Sequence, residues 1–190
     1  MKKFVALVLL LAAGLLSAGC LVRSVQPWLS EETRISEPSL LGSWRNTQGD
    51  SVAFFSGSPE EYLVISVDDG KSVSRFVATL HRLDDVLLLQ VGPAEPENMS
   101  GYALLPAYIL FKAVLKGNSL KLYGIDLDAF PARAAQAQVP LLAGGSENDG
   151  YVLTGTAEES EAFLRAQLGQ RGFFDKKPLY SFRKLPVPTP

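Results

Sequence analysis

From Leu41 onward the chain is a succession of short segments rich in β-branched and aromatic residues, each cut off by turn residues. That rhythm steers it toward an antiparallel β architecture. Val52 to Phe55, Tyr62 to Val67, Val73 to Leu83, Val86 to Val91, Ala107 to Leu115 and Leu120 to Ile125 read as strands. Ser56-Gly57-Ser58-Pro59, Asp68-Asp69-Gly70, Asp84-Asp85 and Gly117-Asn118-Ser119 fall between them. Connections this short join antiparallel neighbours into a meander of hairpins.

Alternation indicates which faces are covered. Between Val73 and Leu83, the residues Phe76, Ala78 and Leu80 share one face, predicted to point inward, while Arg75, Thr79 and His81 share a face predicted to be solvated. Val86-Leu87-Leu88-Leu89-Gln90-Val91 is apolar almost throughout, which predicts cover on both sides. Two helices are available to provide it. Asp128 is the expected N-cap of the first, Ala129 to Gln138, with Pro131 tolerated in its first turn. Thr156-Ala157-Glu158-Glu159 forms a capping box that opens the second, along which Ser160, Phe163, Leu164, Gln167 and Leu168 fall on one side before Gly169 or Gly172 ends it. Ala143 to Gly150 reads as a loop, Tyr151 to Thr154 and Leu179 to Leu185 as further strands, and Pro186 to Pro190 as a tail unsuited to a ladder. The fold class expected is mainly β, an antiparallel barrel of about 8–9 short strands with two helices in the C-terminal half.

The start of the chain follows different rules. Lys2 and Lys3, an apolar run from Phe4 to Leu16 and the small residues Ser17-Ala18-Gly19 make up a secretory signal. A membrane-spanning helix needs about 20 apolar residues, more than this run supplies. Leu16-Ser17-Ala18-Gly19-Cys20 resembles the lipobox of bacterial lipoproteins. The resemblance implies cleavage after Gly19, a diacylglyceryl thioether and an amide-linked acyl chain on Cys20, and therefore a membrane as partner, since more than one chain anchors stably. The competing reading is an ordinary secretory signal with an incidental cysteine. Leu21, where Asp would retain a lipoprotein in the inner membrane, favours the outer membrane with the domain facing the periplasm. Cys20 is the only cysteine, so the fold has no internal disulfide. Residues 20–39, with Pro27, Pro38 and several Ser and Glu, read as a lipidated N-terminus and tether ahead of one domain at 40–185.

Charge and residue inventory exclude several functions. The chain has 18 basic and 20 acidic residues and loses Lys2 and Lys3 with the signal, so it lacks the clustered positive charge that nucleic acid requires. A Ser-His-Asp site would have to be built on His81, the only histidine, and no Gly-x-Ser-x-Gly occurs, so His81 is expected to be an exposed structural residue. Zinc would have only His81 and an acylated Cys20. Asp126 and Asp128 would share a hard cation if the segment were extended, but a strand end and a helix cap account for them more simply. Glu60 and Glu61 would point to opposite faces of a strand. No catalytic constellation, metal site or cofactor is expected.

Leu41-Gly42-Ser43-Trp44 is similar to the Gly-x-Trp opening of lipocalin-like barrels. That resemblance implies that Trp44 lies at a closed end reached through Gly42, and that Arg183 in the last strand packs across the indole, fastening first strand to last. Together with Leu88-Leu89-Gln90-Val91, Leu105-Pro106-Ala107-Tyr108, Leu120-Lys121-Leu122, Ile125-Asp126-Leu127-Asp128 and the Thr156 helix, it makes the chain resemble a group of bacterial envelope lipoproteins, a likeness that implies a compact barrel and brings no established activity. A barrel of about eight strands is either just filled by side chains or holds one small ligand. Phe54, Phe55, Phe76, Tyr108, Phe111 and Tyr123 are the aromatics that would fill it or line it. Two functions fit: a non-enzymatic module that meets another envelope protein or glycan, and a carrier of a small apolar ligand.

Overall fold

The computed structural model describes residues 21–58, 60–68, 72–94, 107–143 and 150–186. Residues 1–20, which hold the expected signal and Cys20, most of the loop after Ala143 and the last four residues lie outside them. The strands are β1 (Val22–Ser24), β2 (Arg34–Ile35), β3 (Gly42–Arg45), β4 (Ser51–Ser56), β5 (Glu61–Asp68), β6 (Ser72–Leu83), β7 (Val86–Pro93), β8 (Tyr108–Lys116), β9 (Ser119–Tyr123), β10 (Leu141–Ala143), β11 (Tyr151–Leu153) and β12 (Tyr180–Lys184). Helix α1 (Phe130–Gln136) precedes β10, and α2 (Ala157–Leu168) follows β11.

Strands β3 to β9 pair in sequence order, and β12 closes the ring by pairing antiparallel to both β9 and β3. The result is an eight-stranded closed antiparallel barrel with the two helices in the C-terminal half. Closure leaves the barrel strands without a free edge, which removes the main aggregation hazard of a β domain. Outside the ring, β1 lies between β8 and β11, and β2 pairs with β6.

Two apolar cores share the β6–β7–β8 wall. Inward residues such as Trp44, Phe54, Leu80, Leu89 and Phe111 form the first inside the barrel. Leu83, Leu88 and Leu110, facing the other way, join Trp28, Phe130, Phe163 and Phe173 in the second, beneath the helices. The expectation for β7 holds: Leu88 and Leu89 are adjacent, point to opposite faces and are both buried.

The tether reading fails from Val22 onward. Trp28 is completely buried, Leu29 and Leu40 nearly so, and β1 and β2 are paired into the sheet. The segment is a strap across the outside of the barrel. Its Pro and Ser residues shape tight turns, while Trp28 and Leu29 provide the burial that holds it.

Each helix start has a local cause. Asp126, not Asp128, turns the chain into α1: its Oδ1 accepts from the amides of Asp128 (3.1 Å) and Ala129 (3.3 Å), and its carbonyl accepts from Phe130. Asp128 stays exposed, and α1 begins one residue later than expected, with Pro131 in its first turn. At α2 the capping box is formed as read, Thr156 Oγ1 accepting from the Glu159 amide and Glu159 Oε2 accepting from the Thr156 amide.

Candidate functional site

One half of the barrel interior is open. Position by position, the inward residues near one end line a cavity of about 330 Å³: Ser72, Ser74 and Phe76 on β6, Leu89 and Val91 on β7, Ile109 and Phe111 on β8, Tyr180 and Phe182 on β12. The next inward residues along β6 and β8, Ala78, Leu80 and Ala113, together with Leu120 on β9, are packed core and do not line it. Asp50, Asp68 and the hydroxyls of Ser66, Ser72 and Ser74 give the mouth a polar rim around an apolar floor. Burial, reinforced by the Asp68 and Asp50 carboxylates, pushes the Tyr180 hydroxyl above its ordinary pKa, so it stays a neutral donor.

Of the aromatics read from the sequence, Phe54, Phe76 and Phe111 line this cavity. Tyr108 and Tyr123 do not. Tyr108 packs with the outer core, and its carbonyl accepts from the Trp28 indole at 3.1 Å. Tyr123 faces outward under the Lys112 ammonium, 5.9 Å from its ring centre. Phe55 is about half exposed on the outer face of β4. Tyr180 and Phe182, overlooked in the aromatic set, stack on one another at 5.9 Å and form part of the wall. Their spacing of two within β12 was the available signal.

The other end is sealed around Trp44, which is fully buried and donates its indole N–H to the Leu40 carbonyl at 2.8 Å. The cation over the indole is Lys184, with Nζ 5.2 Å from the ring centre and 2.6 Å from the Ser39 carbonyl. Arg183, expected there, is exposed on the outer face and pairs in register with Arg45. The correction follows from the pleat. Tyr180, Phe182 and Lys184 share the inward face of β12, and Arg183 falls between them. Gly42 has φ of 111°, and a Cβ there would lie 3.3 Å from Lys184 Cε, so a glycine lets the lysine cross.

His81 is fully buried, not exposed, because the strap covers the outer face of β6. It sits in a continuous run of hydrogen bonds. Gln90 Nε2 donates to Thr79 Oγ1 (3.3 Å), Thr79 Oγ1 lies 2.8 Å from His81 Nε2, His81 Nδ1 lies 2.8 Å from Thr33 Oγ1, and Thr33 donates to the Ser30 carbonyl (3.2 Å). Only a neutral imidazole carrying its proton on Nδ1 satisfies every partner in that order. Burial first, then the nearby Arg34 cation, lowers the His81 pKa to about 4, against a smaller opposing pull from Glu161. The other end of Gln90 holds the strap, its Oε1 accepting from the amides of Trp28 (2.6 Å) and Leu29 (3.3 Å). Thr33, His81 and the buried Ser160 hydroxyl are absent from the cavity wall, so they reach no ligand there. Thr33 and His81 clasp the strap, whereas the Ser160 hydroxyl is buried with no hydrogen-bond partner.

The acidic residues are dispersed among structural tasks. Burial, then the Asp126 and Asp128 carboxylates, raises the Asp175 pKa, but Asp126 is engaged in capping. Among the described residues no group of three or more His, Cys, Asp or Glu is placed to hold a metal ion. Glu61 pairs with Arg34 at 3.5 Å, and Glu60 is an exposed turn residue with φ of 64°. The site is therefore a half-open apolar cavity with a polar rim, in a barrel fastened at its far end by Trp44 and Lys184. No family model, no curated protein and no solved structure matches the chain.

Proposed function

We propose that this chain is a lipid-anchored envelope protein that carries one small apolar ligand in its barrel. The observation that supports the reading most directly is the cavity of about 330 Å³ whose floor is Phe54, Phe76, Leu89 and Phe111 and whose rim is Asp50, Asp68 and three serines. Its size is at the lower end of that of small-molecule sites, and an apolar body with a few polar groups at one end is the usual chemistry of such sites. No Lys or Arg is among the described residues that line it. The ligand that suits it has an apolar chain for the floor and a polar end for the rim.

Native mass spectrometry of the protein extracted gently from its own membranes tests this. The expected result is a reproducible excess mass on the wild type that disappears in Ser66→Trp and Ser74→Trp, a cross-strand pair at the mouth, while thermal melts stay cooperative. A bare mass in the wild type would remove the carrier reading. A second reading, an interaction module, draws on Phe55 and Leu63, which are 48% and 39% exposed and directly opposite each other on the outer faces of β4 and β5.

A further inference from the structure

Leu21 lines the cavity mouth, and it follows directly on the residue where the lipobox resemblance places the acyl chains. It reaches the mouth because β8 changes partner along its length. Lys112 to Lys116 pair with β9, whereas Tyr108 and Ile109 pair with Ser24 and Arg23 of β1. At the open end, β1 has taken the place beside β8 that β9 holds lower down. Alternation then turns Leu21 toward the barrel core and Val22 toward the outer core. From Val22 the chain has no slack. Val22 and Ser24 are buried, and β1 is paired with β8 on one side and β11 on the other. Successive Cα atoms are about 3.8 Å apart, so an anchor on Cys20 would be tied within one residue of the opening.

Three of the exposed large apolar side chains among the described residues lie at this end. Val73, 66% exposed, sits between Ser72 and Ser74 of the mouth; Tyr180, 37% exposed, lines it; and Leu179, 44% exposed, precedes Tyr180. At the sealed end the β8–β9 turn presents Lys116, Gly117 and Asn118 to solvent, and the Asn118 carbonyl accepts from the Lys184 amide beside Trp44, while the exposed pair Phe55 and Leu63 lies toward the β4–β5 turn.

We propose that attachment at Cys20 holds the mouth of the barrel against the bilayer, and that the cavity takes an acyl chain directly from the membrane instead of from water. The inference rests on the carrier reading and names its ligand class as a membrane lipid. It gives the short connection before Val22 a purpose: a chain moving from bilayer to barrel crosses an apolar rim without exposing its length to water.

The test uses the full lipidated protein in vesicles of phosphatidylethanolamine and phosphatidylglycerol with brominated acyl chains. Val73→Cys and Asn118→Cys are labelled with an environment-sensitive fluorophore; the thioether leaves no free thiol at Cys20. The expected result is strong quenching of the Val73 probe and little or none at Asn118. Equal quenching at both positions, a reversed order, or labelling of Cys20 itself would overturn the proposal. A spacer of about twenty Gly and Ser residues inserted after Cys20, which reaches roughly 25 Å, should reduce quenching at Val73 severalfold. Unchanged quenching would show that the anchor does not set the orientation. Bound phospholipid is read separately by native mass spectrometry of the same preparations. Lipid retained with an unquenched rim would sink the membrane-facing mouth and leave the carrier reading intact, whereas a quenched rim around a bare barrel would sink the carrier reading and the transfer with it.

Discussion

Lys184 and Arg183 are adjacent cations with different tasks, and the pleat of β12 is what separates them. Lys184 lies over the buried Trp44 ring and donates to the Ser39 carbonyl, while Arg183 faces solvent. Lys184→Met should lower stability by about 1 to 2 kcal/mol, combining the lost cation–π contact with an unpaired carbonyl. Arg183→Met should stay within about 0.5 kcal/mol of the wild type. Urea midpoints of the two variants decide this, and equal losses would mean that Lys184 is not the clamp. His81 makes a pH-dependent contribution. Its folded-state pKa of about 4 lies below the ordinary 6.5, so between those values the unfolded chain binds the extra proton. Its stabilising contribution is complete above about pH 6.5, declines as pH falls toward 4, and amounts to at most about 3 kcal/mol. Arg34 and Glu161 are the charged groups that face it, the first deepening the shift and the second opposing it. In paired urea titrations at pH 7.5 and 4.5, His81→Gln should lose less stability on acidification than the wild type. Equal losses would show that His81 takes up as much proton in the folded as in the unfolded chain across that interval, and that its folded-state pKa is not lowered.

At the level of elements, the strap is the part with the largest effect and the least sequence signal. Trp28→Ala removes a fully buried ring and should cost about 3 to 5 kcal/mol, with the amides around residue 28 losing hydrogen-exchange protection before those of the barrel. A melting temperature within a degree of the wild type would mean the strap is held by other contacts. The strands of the barrel were legible because period two and turn residues act locally, and the Thr156 capping box was legible because all its partners lie within one turn. The strap was not, because its hold depends on Gln90, Thr79 and His81, about 50 or more positions further along the chain. Thr79 and His81, with Arg75, read as a solvated face until the strap lies on it. The Arg183 expectation failed for a different reason: it carried the arginine of the lipocalin-like resemblance onto Arg183 without counting inward positions from Tyr180 and Phe182. Whether the interior was filled or hollow depended on side-chain volumes at inward positions, which no spacing rule gives; of the six aromatics expected to fill or line it, Phe54, Phe76 and Phe111 lie on the wall, and Phe55, Tyr108 and Tyr123 face elsewhere.

For the whole molecule, two cores on one wall mean that the barrel and its helical cover stand or fall together. Leu88 and Leu89 report to different cores from neighbouring positions, so a single cooperative unfolding transition is expected. Cys20→Ser should move the protein from the membrane pellet to the soluble fraction without changing its melting temperature, and continued sedimentation with membranes would refute the anchor. The position of β1 also sets the order in which the fold can form. Arg23 and Ser24 pair with β8, and all three residues pair, register for register from Val22 to Tyr151, with β11, so the opening strand of the domain has no partner until Tyr108 is available and is not flanked on both sides until Leu153 is. Contacts so distant along the chain are slow to close. A polypeptide delivered N-terminus first would hold its first strand in waiting and seat it among the last, making the fastening of Leu21 at the mouth a late step of assembly.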